Sequence, residues 1–228
     1  MRRANIFLFL IFILLFSMST KIFAVEYPVI SLGINAGWGQ NELAKGVFGR
    51  AFLRYSLEAY IPGFHVDVGF TGSYYNSLEE IVIPDPDPVV DERTIKTKIY
   101  DYYPTISGTF HLKPFGESAM IYFGGGGQVH FLSSDKKTID RYWDEVAEKY
   151  QENEEDKVNL LSQVKFGYHL MGGLRVALGK FGTVDLEVRQ TFLEVMADDW
   201  DDAEASQLWG EKSWNNFSVN LGMTVYIF

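Results

Sequence analysis

The chain has 228 residues, with 20 lysines and arginines against 30 aspartates and glutamates, a formal net charge of −10, and no cysteine. This acidic balance excludes a nucleic-acid binder, and the lack of cysteine excludes both a disulfide framework and a thiolate metal site. Aromatics at 16% together with 21 glycines suit a sheet that is bulky on one side and tightly packed on the other.

Residues 1–24 read as an export signal. Arg2 and Arg3 form a basic start, 6–18 is a nearly unbroken apolar run, and Ile22-Phe23-Ala24 offers a cleavage site. That run is shorter than the ~20 residues a membrane-spanning helix needs. Cleavage after Ala24 removes three basic residues and no acidic ones, so the mature domain, 25–228, carries 17 bases against 30 acids, or −13. No later apolar stretch has the length of a spanning helix, so a place in a membrane requires a β-barrel.

Period-two alternation marks eight strands, at 29–38, 51–61, 64–75, 98–112, 119–131, 161–178, 183–195 and 214–228. Three joints are tight and rich in turn residues: Ile61-Pro62-Gly63, 113–117 and 179–182. Four are long: 39–50, 76–97, 132–160 and 196–213. Long and short joints alternate strictly, which gathers the long loops at one end and the turns, with both termini, at the other. The fold expected is all-β, an eight-stranded antiparallel up-and-down transmembrane barrel with short periplasmic turns and four longer external loops.

A soluble barrel carries the same alternation inside out, so the polar face decides the orientation. That face is largely small: Ser31, Gly33, Asn35 and Gly37 on the first strand; Gly69, Thr71 and Ser73 on the third; Ser218, Asn220, Gly222 and Thr224 on the last. Small residues suit the narrow interior of eight strands, whereas a water-facing exterior would be dense in lysine and glutamate. The other face is continuous oil, as in Phe217, Val219, Leu221, Met223, Val225 and Ile227. Aromatics gather near the strand ends, with Trp38, Tyr74, Tyr100 and Tyr102 toward the loops and Phe64, Phe110, Tyr226 and Phe228 toward the turns.

Nine charges fall on the inward face: Arg54, Lys165, Arg175 and Arg189 against Glu58, Asp67, Asp101, Asp185 and Glu187. Hairpin register sets Arg175 across from Asp185 and Glu58 across from Asp67. The second pair is two carboxylates, whose repulsion a shared proton or an intervening Arg54 would relieve. All four histidines, His65, His111, His130 and His169, also point inward, without the spacing of a metal site. The expectation is a polar plug with no catalytic residues, no metal and no cofactor. No nucleophile elbow, phosphate loop or metalloprotease helix is present, and, with the histidines pointing inward, no serine and histidine stand together on the lipid-facing or loop side as in lipid-modifying barrels.

The loops at 76–97, 132–160 and 196–213 carry net charges of −4, −4 and −5, making the external rim an anionic crown. Trp143, Val146 and Tyr150 at helix-like spacing predict a short amphipathic helix within 135–156. Asp198, Asp199, Asp201 and Asp202 flank Trp200 without the glycine and spacing of a calcium loop, so they read as solvated charge. Divalent cations bridging to lipid, or basic surface partners, are what such a rim attracts.

With its strands placed, the chain resembles the small eight-stranded outer-membrane class that includes OmpX-like, OmpW-like and Opa-like barrels. The likeness is one of layout over nearly all of the mature chain. It implies a monomer in the outer membrane of a Gram-negative envelope, in contact with outer-membrane lipid and delivered by the barrel-assembly machinery. In that class the last strand is the assembly signal, which Phe228 and Tyr226 match while Thr224, Gly222 and Asn220 do not. The function the resemblance implies is a non-enzymatic structural or surface-interaction role. The alternatives are a narrow conduit for small hydrophobic molecules, as OmpW-like members are associated with, and a lipid-modifying enzyme.

Overall fold

The computed structural model describes residues 30–41, 44–77, 81–83, 92–114, 116, 118–144, 149–154, 158–195 and 214–227. The segments taken for a signal (1–24) and for the fourth long loop (196–213), together with Phe228, lie outside them. Ten strands are present: β1 (Ile30–Gln40), β2 (Ala44–Ser56), β3 (Phe64–Ser77), β4 (Ile81–Ile83), β5 (Glu92–Leu112), β6 (Ala119–Asp144), β7 (Lys149–Glu154), β8 (Val158–Ala177), β9 (Gly182–Leu193) and β10 (Asn216–Ile227). Eight of them close an antiparallel ring in the order β5-β3-β2-β1-β10-β9-β8-β6, with β6 pairing back onto β5. Short β4 pairs with β5, and β7 pairs with β6, above the ring.

The stagger of the ring follows from register alone. Directly paired residues run from Lys98 through Asn76, Lys45, Gln40, Phe217, Gln190, Leu170 and Gly125, and return to β5 at Gly108, ten residues from the start. For eight strands that shear tilts the strands by about 40° from the axis and leaves room inside for side chains only. Along β5 the outward residues are Phe110, Gly108, Ile106, Pro104, Tyr102 and Tyr100, after which the face turns to Lys98 and Lys96. The oily run is the ~9–11 residues a tilted strand needs to cross a bilayer. Pro104 interrupts the β5–β6 ladder between Tyr102↔Phe131 and Thr105↔Gln128 without shifting it, because proline has no N–H to give.

Outward side chains are largely apolar and many are exposed, among them Leu221 at 64% and Phe166 at 82%, while inward Asp67 is 0% and Arg54 5% exposed. Charge inside and oil outside is the inverse of a soluble protein.

Several boundaries differ from the sequence expectation. The first long loop, 39–50, is mostly strand: β1 runs to Gln40 and β2 starts at Ala44, leaving a tight joint that Asn41 closes by accepting a 2.7 Å hydrogen bond from the Ala44 N–H. Alternation continues through Gly46 and Gly49, with Ala44, Phe48 and Arg50 all buried inward. The connection between β1 and β2 is therefore short.

The helix expected in 135–156 is instead a hairpin in its described part. β6 continues to Asp144 and β7 returns antiparallel, with Trp143 and Tyr150 as register partners. A separation of seven fits two turns of helix and an antiparallel pair equally well, and the Thr138, Ile139, Tyr142 and Trp143 side chains favour the strand. Val146 lies outside the described residues.

The first turn is wider than Pro62-Gly63. β2 stops at Ser56, its last pair being Ser56↔His65, and 57–63 form the turn, with Gly63 at φ 74°. The expected facing of Glu58 and Asp67 is overturned by this: Arg54 stands opposite Asp67.

Candidate functional site in the lumen

Period-two alternation aims every second residue of each ring strand inward, and a charge that reaches the middle of the barrel must find its partner there. Three inward carboxylates and four guanidiniums meet in the turn-side half. Arg54 donates to both oxygens of Asp67, from Nε and Nη2, each at 2.7 Å. Arg175 grips Asp185 in the same two-pronged way, at 2.6 and 3.0 Å, and Thr183 and Thr224 each donate a 3.1 Å hydrogen bond to that carboxylate. Glu187 accepts from Arg189 Nε at 3.1 Å, from Asn220 at 2.9 Å and from the Tyr122 hydroxyl at 3.2 Å.

Arg50, which the sequence reading placed in a loop, is the fourth guanidinium. It lies 3.8 Å from Asp67 and 3.9 Å from Glu187 and makes no hydrogen bond through any of its nitrogens. Its guanidinium carbon sits 4.5 Å from the centre of the Phe52 ring, and that of Arg54 lies 5.1 Å from the same ring. Continued alternation from Ala44 was the signal that could have found Arg50.

Large aromatics fill what the small residues leave. Phe52 pairs across the ladder with Gly33, and a Cβ there would lie only 2.2 Å from the ring. Tyr122 covers its partner Gly173 in the same way, with its hydroxyl 2.7 Å from where a Cβ would be. Gly33, read from the sequence as small lumen lining, and Gly173 are in these two places the floor under an inward ring.

The histidines separate into two levels. Near the turns, His65 and His111 stack with ring centres 3.9 Å apart. His65 Nε2 is 3.2 Å from Glu58, which also lies 3.6 Å from Lys113. Higher up, His130 Nδ1 is 2.8 Å from Asp101 and its ring packs on Tyr103 at 4.4 Å. His169 Nε2 is 2.9 Å from the Ser107 hydroxyl. This contact is inside the barrel and not on the lipid-facing or loop side: Ser107 on β5 and His169 on β8 share a cross-strand row with Gly126 of β6 between them, and the missing side chain lets them meet. Ser107 and His169 are both buried, at 2% and 1% exposed. No cluster of three histidine or carboxylate ligands occurs among the described residues.

Of the other inward charges in the sequence reading, Lys165 faces inward and is half-buried, opposite His130 in the β6–β8 register. Tyr226 also faces inward, lining a small cavity of ≈ 20 Å³ with Ser31, Arg54, His65, His111 and Arg175. β10 pairs regularly with β1 up to Ile30↔Ile227, so no bulge reorients Tyr226 toward lipid. The aspartates 198, 199, 201 and 202 lie outside the described residues.

A scan of the sequence against protein-family models finds no match, and neither does a search of curated proteins. Solved structures do match. Neisserial surface protein A superposes with a TM-score of 0.50 at 12% identity, covering 87% of this chain and 97% of that one. The N-terminal barrel domain of Pseudomonas aeruginosa OprF gives 0.38 at 12% identity, over 86% and 96%. Ail of Yersinia pestis, in complex with the heparin analogue sucrose octasulfate, gives 0.35 at 13% identity, over 86% and 96%. At such identities the likeness is one of fold, and the first of the three carries it: this chain has the eight-stranded outer-membrane barrel architecture.

Proposed function

We propose that this eight-stranded outer-membrane barrel is a non-enzymatic structural and surface protein whose wall anchors a raised external sheet and acidic loops, and whose lumen is a plug. The observation that carries this is the lumen itself. Arg54 pairs with Asp67 across β2 and β3, Arg175 with Asp185 across β8 and β9, and Arg189 with Glu187 along β9, while Arg50 on β2 reaches to within 3.9 Å of Glu187 on β9, and Phe52 and Tyr122 lie over the glycines that would otherwise leave gaps. A path for hydrophobic solutes needs an apolar or open lining, and this lining is charged and closed by ion pairs. Above the oily band, β4, β5, β6 and β7 rise as a ribbon that continues the barrel wall, the natural place for contact with the surroundings.

The test is conductance in planar bilayers together with heat-modifiable migration in detergent gels. A folded barrel that migrates anomalously until boiled and conducts no current supports the plug. Reproducible single-channel steps from the unaltered protein support a conduit instead, and altered lipid A on expression would support an enzyme.

A further inference from the structure

The small cavity at the turn end of the lumen is lined by hydrogen-bond donors. Arg54 and Arg175 reach it from β2 and β8, Ser31 and Ser56 bring hydroxyls from β1 and β2, and the stacked His65 and His111 rings form one side. Among the described residues no carboxylate lines it, and its volume of ≈ 20 Å³ has room for a water or a monatomic ion. Arg54 spends Nε and Nη2 on Asp67, while its Nη1 is buried with no hydrogen bond. Arg175 likewise spends Nε and Nη2 on Asp185, and its Nη1 meets the His111 ring nitrogens at 3.3 and 3.4 Å. A guanidinium is planar and rigid, so each arginine keeps its Nη1 on the side away from its carboxylate. Ser56 accepts a 3.4 Å hydrogen bond from the Glu58 N–H and keeps its own proton to give.

A water fits the cavity too, accepting from Arg54 Nη1 and donating to His65 Nδ1, another buried nitrogen without a hydrogen bond. Charge separates the two guests. Among the described residues of this half of the lumen, Arg50, Arg54, Arg175 and Arg189 stand against Asp67, Asp185 and Glu187, four charges against three, while Lys113 and Glu58 offset each other. Asp67 is shared, with Arg50 3.8 Å from it, so its two hydrogen bonds to Arg54 do not cancel the charge of both arginines. A charge left uncompensated in a low-dielectric interior costs more than one hydrogen bond returns. A guest anion removes that cost, and water does not.

We propose that this cavity is a binding site for one chloride-sized monovalent anion, held by Nη1 of Arg54 and of Arg175 with the Ser31 and Ser56 hydroxyls. The anion completes the ion-pair network and evens its charge. The site rests on the plugged lumen proposed above and gives that plug a dissociable part, so the turn end of the barrel tightens when a halide is present.

Crystals of the folded, detergent-solubilised protein grown in sodium bromide, with X-ray data collected at the bromine absorption edge, test the site directly. An anomalous peak in the cavity, within hydrogen-bond reach of Arg54 Nη1, is the expected result. A second measurement follows the temperature at which heat-modifiable migration is lost, in sodium chloride or bromide against sodium gluconate at equal ionic strength. The halides should raise that temperature by about 2–4 °C. Ser31→Val, which removes a hydroxyl and fills the cavity, should abolish the halide shift. Arg50→Met, which evens the charges without touching the cavity, should shrink it, and Ser218→Ala, elsewhere in the lumen, should leave it unchanged. Where Ser31→Val does not fold, the bromide peak and the halide shift of the unaltered protein decide. A cavity holding water alone, or a carboxylate of the chain itself, in the bromide-grown crystals overturns the site, as does equal stability in halide and gluconate. Single-channel steps from the unaltered protein overturn the plug instead, whereas a silent barrel without bound bromide removes the anion alone.

Discussion

Arg175 and Asp185 face each other across the β8–β9 hairpin, joined by two hydrogen bonds of 2.6 and 3.0 Å in a lumen where both are almost wholly buried. Removing one partner strands the other charge without solvent. Arg175→Ala should therefore cost about 3–5 kcal/mol, and Arg175→Ala combined with Asp185→Ala distinctly less. Urea unfolding of the barrel in lipid vesicles measures both, and equal losses would refute the pairing as the source of the effect.

Arg50 and Arg54 make a contrasting pair. Arg54 spends two hydrogen bonds on Asp67, whereas Arg50 makes none and is the guanidinium in excess of the three carboxylates. Replacing a buried ion by an apolar chain of similar volume is often neutral or stabilising when no partner is orphaned. Arg50→Met should change stability by less than about 1 kcal/mol or raise it, while Arg54→Met, which orphans Asp67, should lower it by about 3 kcal/mol or more. The same unfolding assay ranks them.

Gly33 lies beneath the Phe52 ring, with no room for a Cβ. Gly33→Val should push the ring off its seat and destabilise the barrel by about 1–3 kcal/mol, and Gly33→Val with Phe52→Ala should recover part of that loss. A shift in the temperature at which the gel mobility changes reports both.

The histidines have partners of their own. His65 is turned to Glu58, His130 to Asp101 and His169 to Ser107. Neither added zinc nor a chelator should change the melting temperature, and elemental analysis of the purified protein should find no stoichiometric metal. A zinc-dependent rise of several degrees would show that the stacked His65 and His111 rings recruit a ligand from outside the described residues.

Period-two alternation by itself determined which residues of each strand face oil and which face the interior, because a strand has only two faces and the lipid tolerates no charge on its own. It determined too that Arg175 meets Asp185, since a tight turn fixes register over the few residues around it. Where a glycine or a polar run broke the pattern, it misled: β2 begins earlier than the pattern suggested, and Trp143 and Tyr150 have a spacing that helix and hairpin share. Only the closed ring decided the rest. The registers of β5–β6 and β6–β8 bring Ser107 beside His169 over Gly126, and the closing β1–β10 pair brings Tyr75 beside Asn216. Contacts of that kind depend on the registers of two or more pairings taken together, which no single segment encodes.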